Sequence, residues 1–509
     1  MPRPNILLIT TDQQHWSTLG SVNPRIRTPH LDRLAREGVR FDRAYCANPV
    51  CSPSRASILT GLYPAWHHCW TIGVKLPEDV PTVAEILSAN GYTTNLIGKA
   101  HFQPLASTPQ SVSIECQPVL RDLGYWRDFH GPWYGFDHIE IARMHADESH
   151  VGQHYALWME EQGLYNWRDY FQPWPPEPNP TPRARYWMRD STTWELPERY
   201  HYNRWTSERT IARIEHSVER EQPFLIWSSF MDPHPPYLVP EPWASMYDPE
   251  EMEPGELSEG ELDLMPPHLR LTQQERPDVS LYRETYGPHG LGSHLLDPWD
   301  VRRFMATYYG MVSFVDHEIG HILDALDRSG QAENTLVVFT TDHGHFLGQH
   351  GLTDKGPYHY EDLLRIPWLV RYPSGVPGGR VSSALQSQVD LAPTFLNAAG
   401  IAVPGAMQGV DQMPVWRGDD ALARDHVIVE DRMEVTAMHL RSWVSDRYKL
   451  TVYREGDDGE LFDLERDPQE RHNLWYDPEA ALLKSECLLR MMQAEIQREP
   501  TRMPRVAGA

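Results

Sequence analysis

Four apolar runs, each ending in a cluster of polar and chemically capable residues, constrain this chain more than any other feature. Asn5 to Thr11 leads into Asp12-Gln13, and Thr93 to Ile97 into Gly98-Lys99-Ala100-His101. Pro223 to Phe230 leads into Asp232-Pro233-His234, and Leu336 to Thr341 into Asp342-His343-Gly344-His345. Short apolar runs bounded by turn signals read as buried strands. Between them lie helical patterns. One spans 31–37 and stops at Gly38, and a second spans 83–89 and is ended by Asn90-Gly91. A third carries Val315, Ile319, Ile322, Leu323 and Leu326 on one face and ends at Gly330. The alternation predicts an α/β fold, with a large, mostly parallel sheet covered by helices on both faces. Ligands of open α/β sheets bind beyond the carboxyl ends of the strands, so the four clusters are expected to converge on one site.

The stretch Cys51-Ser52-Pro53-Ser54-Arg55 begins another helical pattern, which Gly61 and Pro64 close. Ser52 is read as its N-cap and Pro53 as its first helical residue. Cys51 then sits at a helix N-terminus, where free N–H groups and the helix dipole lower a thiol's pKa. Arg55 lies about one turn on and can fold back toward the same point. Taken alone, such a cysteine is more often a structural core residue.

Composition narrows the function classes. The 509 residues, 40% hydrophobic and 23% charged, fit a soluble globular protein with one large domain and a smaller partner. Lys plus Arg number 46 against 71 Asp plus Glu, a formal charge of -25, which argues against a nucleic-acid partner. An anionic substrate would meet that field, so an anion site must be locally cationic. The five cysteines form no Cys-x-x-Cys pair, and neither a disulfide framework nor a zinc knuckle is expected. The first apolar run is too short for a signal peptide and no stretch reaches membrane-span length, so a cytoplasmic location and no membrane partner are expected.

Asp12, Asp342 and His343, with Gln13, make a hard, oxygen-rich set with one imidazole, suited to calcium, magnesium or manganese rather than zinc. Each alone reads more simply as a turn cap or a structural histidine, and Lys99 and Lys355 as surface charges.

Cys51-x-Pro53-x-Arg55 with the segment running to Gly61, the 5–13 opening, Gly98-Lys99-Ala100-His101, Pro233-His234, Asp342-His343-Gly344 and Lys355 together resemble the formylglycine-dependent sulfatases of the alkaline phosphatase-like superfamily. The stretches Glu460-Leu461-Phe462-Asp463-Leu464, Asp467-Pro468 and Asn473-Leu474 resemble that family's C-terminal subdomain, and the strand-like runs Val427 to Glu430 and Lys449 to Tyr453 with a final helix from Glu479 to Gln497 fit a small antiparallel sheet plus a helix. The resemblance implies that Cys51 is oxidised to formylglycine by a formylglycine-generating enzyme, and that Arg55 holds its hydrate. It implies a divalent metal, calcium with manganese or magnesium as alternatives, held by Asp12, Gln13, Asp342, His343 and the modified Cys51. His234 and Lys355 then bind the sulfate and assist the leaving oxygen, while Lys99 and His101 flank the nucleophile, with His101 as base. The expected substrate is a small-molecule sulfate ester.

Two departures bear on this. Many sulfatases have a second aspartate where this chain has Gln13, and an asparagine where it has His343. Phosphonate monoester hydrolases share the Asp–His pairing, so a phosphonate or phosphodiester hydrolase is the alternative, and a non-catalytic binding protein on the same fold a third reading. Lys99 and His101 favour sulfate.

The catalytic domain is expected over 1–410, with an aromatic-rich insertion at about 106–220 and an acidic one at about 250–300, and the C-terminal subdomain over 411–509. Trp126, Trp133, Tyr134, Trp158, Trp167, Trp174, Trp187, Trp194 and Trp205 either line a substrate pocket or stiffen the insertion. Pro173 to Pro182 reads as an exposed extended loop. His67, His68, Tyr358 and His359 are pocket-wall candidates. A homo-oligomer is compatible with all of this.

Overall fold

A computed structural model describes residues 3–174, 189–278, 289–419, 422–433 and 438–501. Trp187 and most of the proline-rich loop lie outside the described residues. The main sheet is built from β1 (Asn5–Thr11), β2 (Val39–Phe41), β3 (Thr93–Lys99), β4 (His138–Ala142), β5 (Phe224–Ser229), β6 (Thr335–Thr341), β7 (Trp368–Arg371) and β8 (Arg380–Ser382). Their spatial order is β8-β2-β7-β6-β1-β5-β3-β4. The block from β6 to β4 is parallel throughout, so the ends of β1, β3, β5 and β6 open on one edge. β7 runs antiparallel to both β6 and β2, which makes the sheet mixed.

Strand alternation divides the core between two layers. Ile6 and Leu8 of β1 point to one face, covered by α2 (Cys51–Thr60), α3 (Val83–Ala89) and α6 (Leu391–Ala398) through Ile58, Leu87 and Phe395. Leu7 and Ile9 point to the other, covered by α1 (Pro29–Glu37), α4 (Tyr202–Glu219) and α5 (Pro298–Arg328) through Leu34, Ile214 and Ile319. A fully buried aliphatic side chain contributes about 1.5–3 kcal/mol, so both layers hold the central strands in register.

The segment read as an aromatic-rich insertion supplies the edge strand β4 and the covering helix α4. Its aromatics favour packing over pocket lining: Tyr155, Trp158, Trp167, Trp194 and Trp205 form a separate buried core. Trp126, Trp133 and Tyr134 join the main core, and Trp174 is 39% exposed.

A second sheet, order β9-β10-β11-β12, comprises His426–Arg432, His439–Ser445, Tyr448–Tyr453 and Gly459–Asp463. It packs on α7 (Ala481–Gln497) through Ile428, Trp443, Leu450, Met491 and Ala494. Its first strand is bonded to the chain just before Cys51: Glu430 N donates to Ala47 O at 3.0 Å, and Asn48 Nδ2 to Glu430 O at 2.6 Å. The small sheet therefore helps seat α2. All five cysteines are buried and free. Among the described residues no helix is long and apolar enough to cross a membrane.

Candidate active site

The four strand-end clusters meet. Asp12 follows β1, Lys99 ends β3, His234 follows β5, and Asp342 and His343 follow β6, with Cys51 carried in from α2 and Lys355 from a loop. Gly98 permits this crowding. It has φ +99, and a Cβ there would lie 1.9 Å from Ser229 O, so only glycine lets β3 close on β5 beside Lys99.

The start of α2 differs from the sequence reading. Val50, not Ser52, is the N-cap, which makes Cys51 the first helical residue and Pro53 the third. Asn48 explains the shift: its Oδ1 accepts from Val50 N at 2.8 Å and turns the chain into the helix two residues early. Pro53 remains compatible because amides of the first turn have no intrahelical partner. Gly61 closes α2 in the left-handed conformation, φ 66, as expected.

The thiol of Cys51 is also not acidified. Burial, reinforced by Asp12, pushes it up against the opposing Lys355 and Lys99 charges. The helix-terminus argument omitted desolvation, which outweighs the dipole here.

Cys51 Sγ lies 3.2 Å from His343 Nε2, 3.6 Å from Asp12 Oδ1 and 3.4 Å from Lys355 Nζ. Ligand atoms of Asp12, Cys51, Asp342 and His343 all fall within 4.8 Å of one another, and all four residues are buried. His343 Nδ1 is held 3.0 Å from Gly344 O, which fixes the tautomer whose Nε2 lone pair faces the cluster. Burial keeps His343 neutral by lowering it to about 4. Asp342 Oδ1 accepts from the backbone N–H of Gln13 and of His343, each at 2.9 Å. Asp12 is held well below the usual carboxylate range: burial would raise it, but Lys99, His234, His145 and Arg55 outweigh burial. Two carboxylates, a neutral imidazole and the Cys51 side chain fit a hard divalent cation.

Gln13 lies beside this set with its amide already engaged. Its Oε1 accepts from Lys355 Nζ at 2.8 Å, and its Nε2 donates to Asp354 Oδ1 at 2.5 Å. Arg55 is wholly buried. Its Nε donates to Asp342 Oδ2 at 2.9 Å, and its Nη1 to Lys99 O and Ser229 Oγ at 2.9 and 2.7 Å. Its Nη2 has no hydrogen-bond partner and lies 4.0 Å from Asp12 Oδ2.

Lys99 is ion-paired with Asp12. Lys355 also reaches His234 Nε2 at 3.2 Å. Burial alone would lower Lys355, but Cys51, Asp354, Asp12 and Asp342 raise it, so it stays cationic. Burial, with His145 and Lys355, holds His234 neutral. His101, at φ 60, is buried with both ring nitrogens unpartnered, and burial together with Arg143 and Lys99 lowers it well below its ordinary value. Arg55, Lys99 and Lys355 thus form the cationic pocket that the acidic composition demanded.

Sequence reasoning missed His145 and Glu148. His145 Nε2 lies 2.7 Å from Lys99 Nζ and 3.3 Å from Asp12 Oδ2, and its ring stacks on His234 with centroids 3.7 Å apart. Its Nδ1 is bonded to Glu148 Oε2 at 2.9 Å. The signal was present: β4 alternates through Ile139 and Ile141 and is followed by a polar cluster, the same grammar as the other four strand ends. His145→Ala is expected to lower kcat/KM on an aryl sulfate by roughly 10–100-fold while the bound metal is retained. Unchanged kinetics in a folded variant would remove His145 from the site.

The pocket-wall candidates separate. His67 Nε2 braces α2 at Ser57 Oγ, 3.0 Å away, whereas His68 is exposed. Tyr358 donates to His289 O at 2.9 Å, and His359 Nδ1 meets Ser442 Oγ of the small sheet at 2.6 Å.

Fold and site together define a hydrolase of the alkaline phosphatase-like class. The chain belongs to the sulfatase family, whose model matches residues 4–140 and 141–401, and residues 348–497 match the C-terminal region of N-sulphoglucosamine sulphohydrolase. Curated relatives include an arylsulfatase of Clostridium perfringens, 28% identical over 93% of this chain and 90% of the relative. An N-acetylglucosamine-6-O-sulfatase of Bacteroides thetaiotaomicron is 27% identical over 97% and 87%. Among solved structures, the phosphonate monoester hydrolase of Agrobacterium radiobacter superposes with a TM-score of 0.77 at 24% identity, covering 97% of this chain and 96% of the other.

Proposed function

We propose that this protein hydrolyses small-molecule sulfate esters, using a formylglycine made from Cys51 by a formylglycine-generating enzyme and one divalent cation. The observation that carries the reading is the convergence of Cys51 with Asp12, Asp342, His343 and Lys355 in one buried cationic pocket. Sulfatase family membership supports it.

Asp12, Asp342 and His343 would hold the cation, calcium first and manganese or magnesium next, and Gln13 could join them only if Lys355 released its oxygen. The cation and the hydrated aldehyde supply an activated oxygen nucleophile and a route for sulfate to leave by elimination. Arg55 anchors the pocket floor through Asp342 and directs its spare Nη2 toward Asp12. Lys355 supplies positive charge beside Cys51 and would donate to the departing oxygen, with neutral His234, 3.2 Å away, helping to bind the sulfate. Lys99 keeps Asp12 ionised, and His101, neutral with both nitrogens free of partners, is the base that takes the proton from the nucleophilic residue in the second step.

The phosphonate reading rests on Gln13 and His343 and remains the competitor. Matched aryl sulfate and aryl phosphonate esters separate the two. The sulfate is expected to have the higher kcat/KM, and a higher value on the phosphonate would reverse the assignment.

A further inference from the structure

Helix α5 carries a second cluster of ligating side chains. Tyr308 on this helix donates to Gln13 O at 2.7 Å, at the edge of the catalytic site. His317, Glu318 and His321 follow nine to thirteen residues later, roughly 14–20 Å along the axis at about 1.5 Å per residue. Their ligand atoms lie within 4.8 Å of one another.

The geometry of the histidine pair is specific. The two Nε2 atoms are 3.3 Å apart, and the rings meet edge to face with centroids 4.7 Å apart. Two imidazole nitrogens on one tetrahedral ion, each at about 2.05 Å, are also separated by about 3.3 Å, so the pair, here in hydrogen-bond contact, already has the spacing that an ion needs. Both residues are half-buried.

Glu318 provides the independent observation. It is 1% exposed, and its Oε2 has no hydrogen-bond partner. Its Oε1 lies 3.8 Å from Arg204 Nη1, but Arg204 Nε is committed to Glu208 Oε1 at 2.8 Å. A buried carboxylate oxygen without a partner is costly unless a cation or donor satisfies it. His30 lies over the same helix against Gly320, where an added Cβ would come within 2.6 Å of its Nε2, and Asp324 follows one turn on. Ser207 Oγ donates to Glu318 O at 3.2 Å, so the cluster faces α4.

We propose that His317, Glu318 and His321 bind a late first-row divalent cation, zinc foremost, at a site separate from the catalytic centre. Two imidazoles and one carboxylate select such an ion over calcium or magnesium, the reverse of the oxygen-rich catalytic set. Three protein ligands, all carried by α5, leave a fourth position for water.

The test is zinc chloride titration of the full-length protein by calorimetry with calcium in excess, beside a His317→Ala/His321→Ala double variant. The wild type is expected to take up one more zinc per chain than the double variant. Glu318→Gln is expected to weaken that uptake by about tenfold or more. Zinc should raise the melting midpoint of the wild type and leave that of the double variant unchanged. Activity in the absence of zinc should be the same in both proteins, which also shows that the variant is folded. If that variant fails to fold, His321→Ala alone is titrated and is expected to lose the same equivalent. Equal uptake by wild type and variant, or no zinc bound by the wild type beyond its catalytic equivalent at about 1 mM, overturns the proposal.

Discussion

Cys51→Ala is expected to abolish turnover, by ~10⁴-fold or more, in a protein that keeps its fold. The side chain lies on the first residue of α2 with no backbone bond depending on it, and alanine suits a helix. The variant loses one buried sulfur, a small core deletion that costs about 1 kcal/mol. In the proposed mechanism activity falls because the nucleophile is gone, while Asp12, Asp342 and His343 would remain to bind the cation. Peptide mass spectrometry of the wild type should show the aldehyde at this position. Residual activity near wild type in the variant, or a fully active enzyme carrying only thiol, would exclude Cys51 as the nucleophile.

Asp342→Ala is expected to lose both the divalent cation and activity, and in addition to destabilise the fold, which separates it from Cys51→Ala. Asp342 receives Arg55 Nε and two backbone N–H groups, all in a region with no solvent exposure. Removing its charge leaves the Arg55 guanidinium buried and under-compensated, a loss of about 3–5 kcal/mol. Thermal melting and metal content measured together check this. A variant that keeps one equivalent of cation would contradict the ligand assignment. Asp342→Asn, which keeps the shape and one acceptor but loses the charge and sets an amide N–H against a donor, should recover only a small part of the stability and little of the activity.

The strand-end grammar makes most of the site legible in the sequence. Parallel strands aligned by βα connections must present their ends on one edge, so Asp12, Lys99, His234 and Asp342 could be expected together from chain order alone. His145 is less legible because its strand is five residues long and sits at the sheet edge, inside a stretch rich in aromatics. The aromatics themselves could not be assigned from sequence, since a tryptophan that lines a pocket and one that fills a core have the same composition. Tertiary packing placed most of them inside.

Two local errors have the same origin. The cap of α2 was moved by Asn48, a residue outside the motif, whose side chain bonds Val50. The thiol of Cys51 was expected to be acidic from its helix position, yet burial reversed the sign. Local sequence determined which elements form, which residues end them and which chemistry they carry, because hydrophobic period and turn residues act over a few positions. Only the folded chain decided how deeply each group is buried and which charges surround it. Desolvation and Coulomb energy depend on neighbours hundreds of residues away, and no local pattern encodes them.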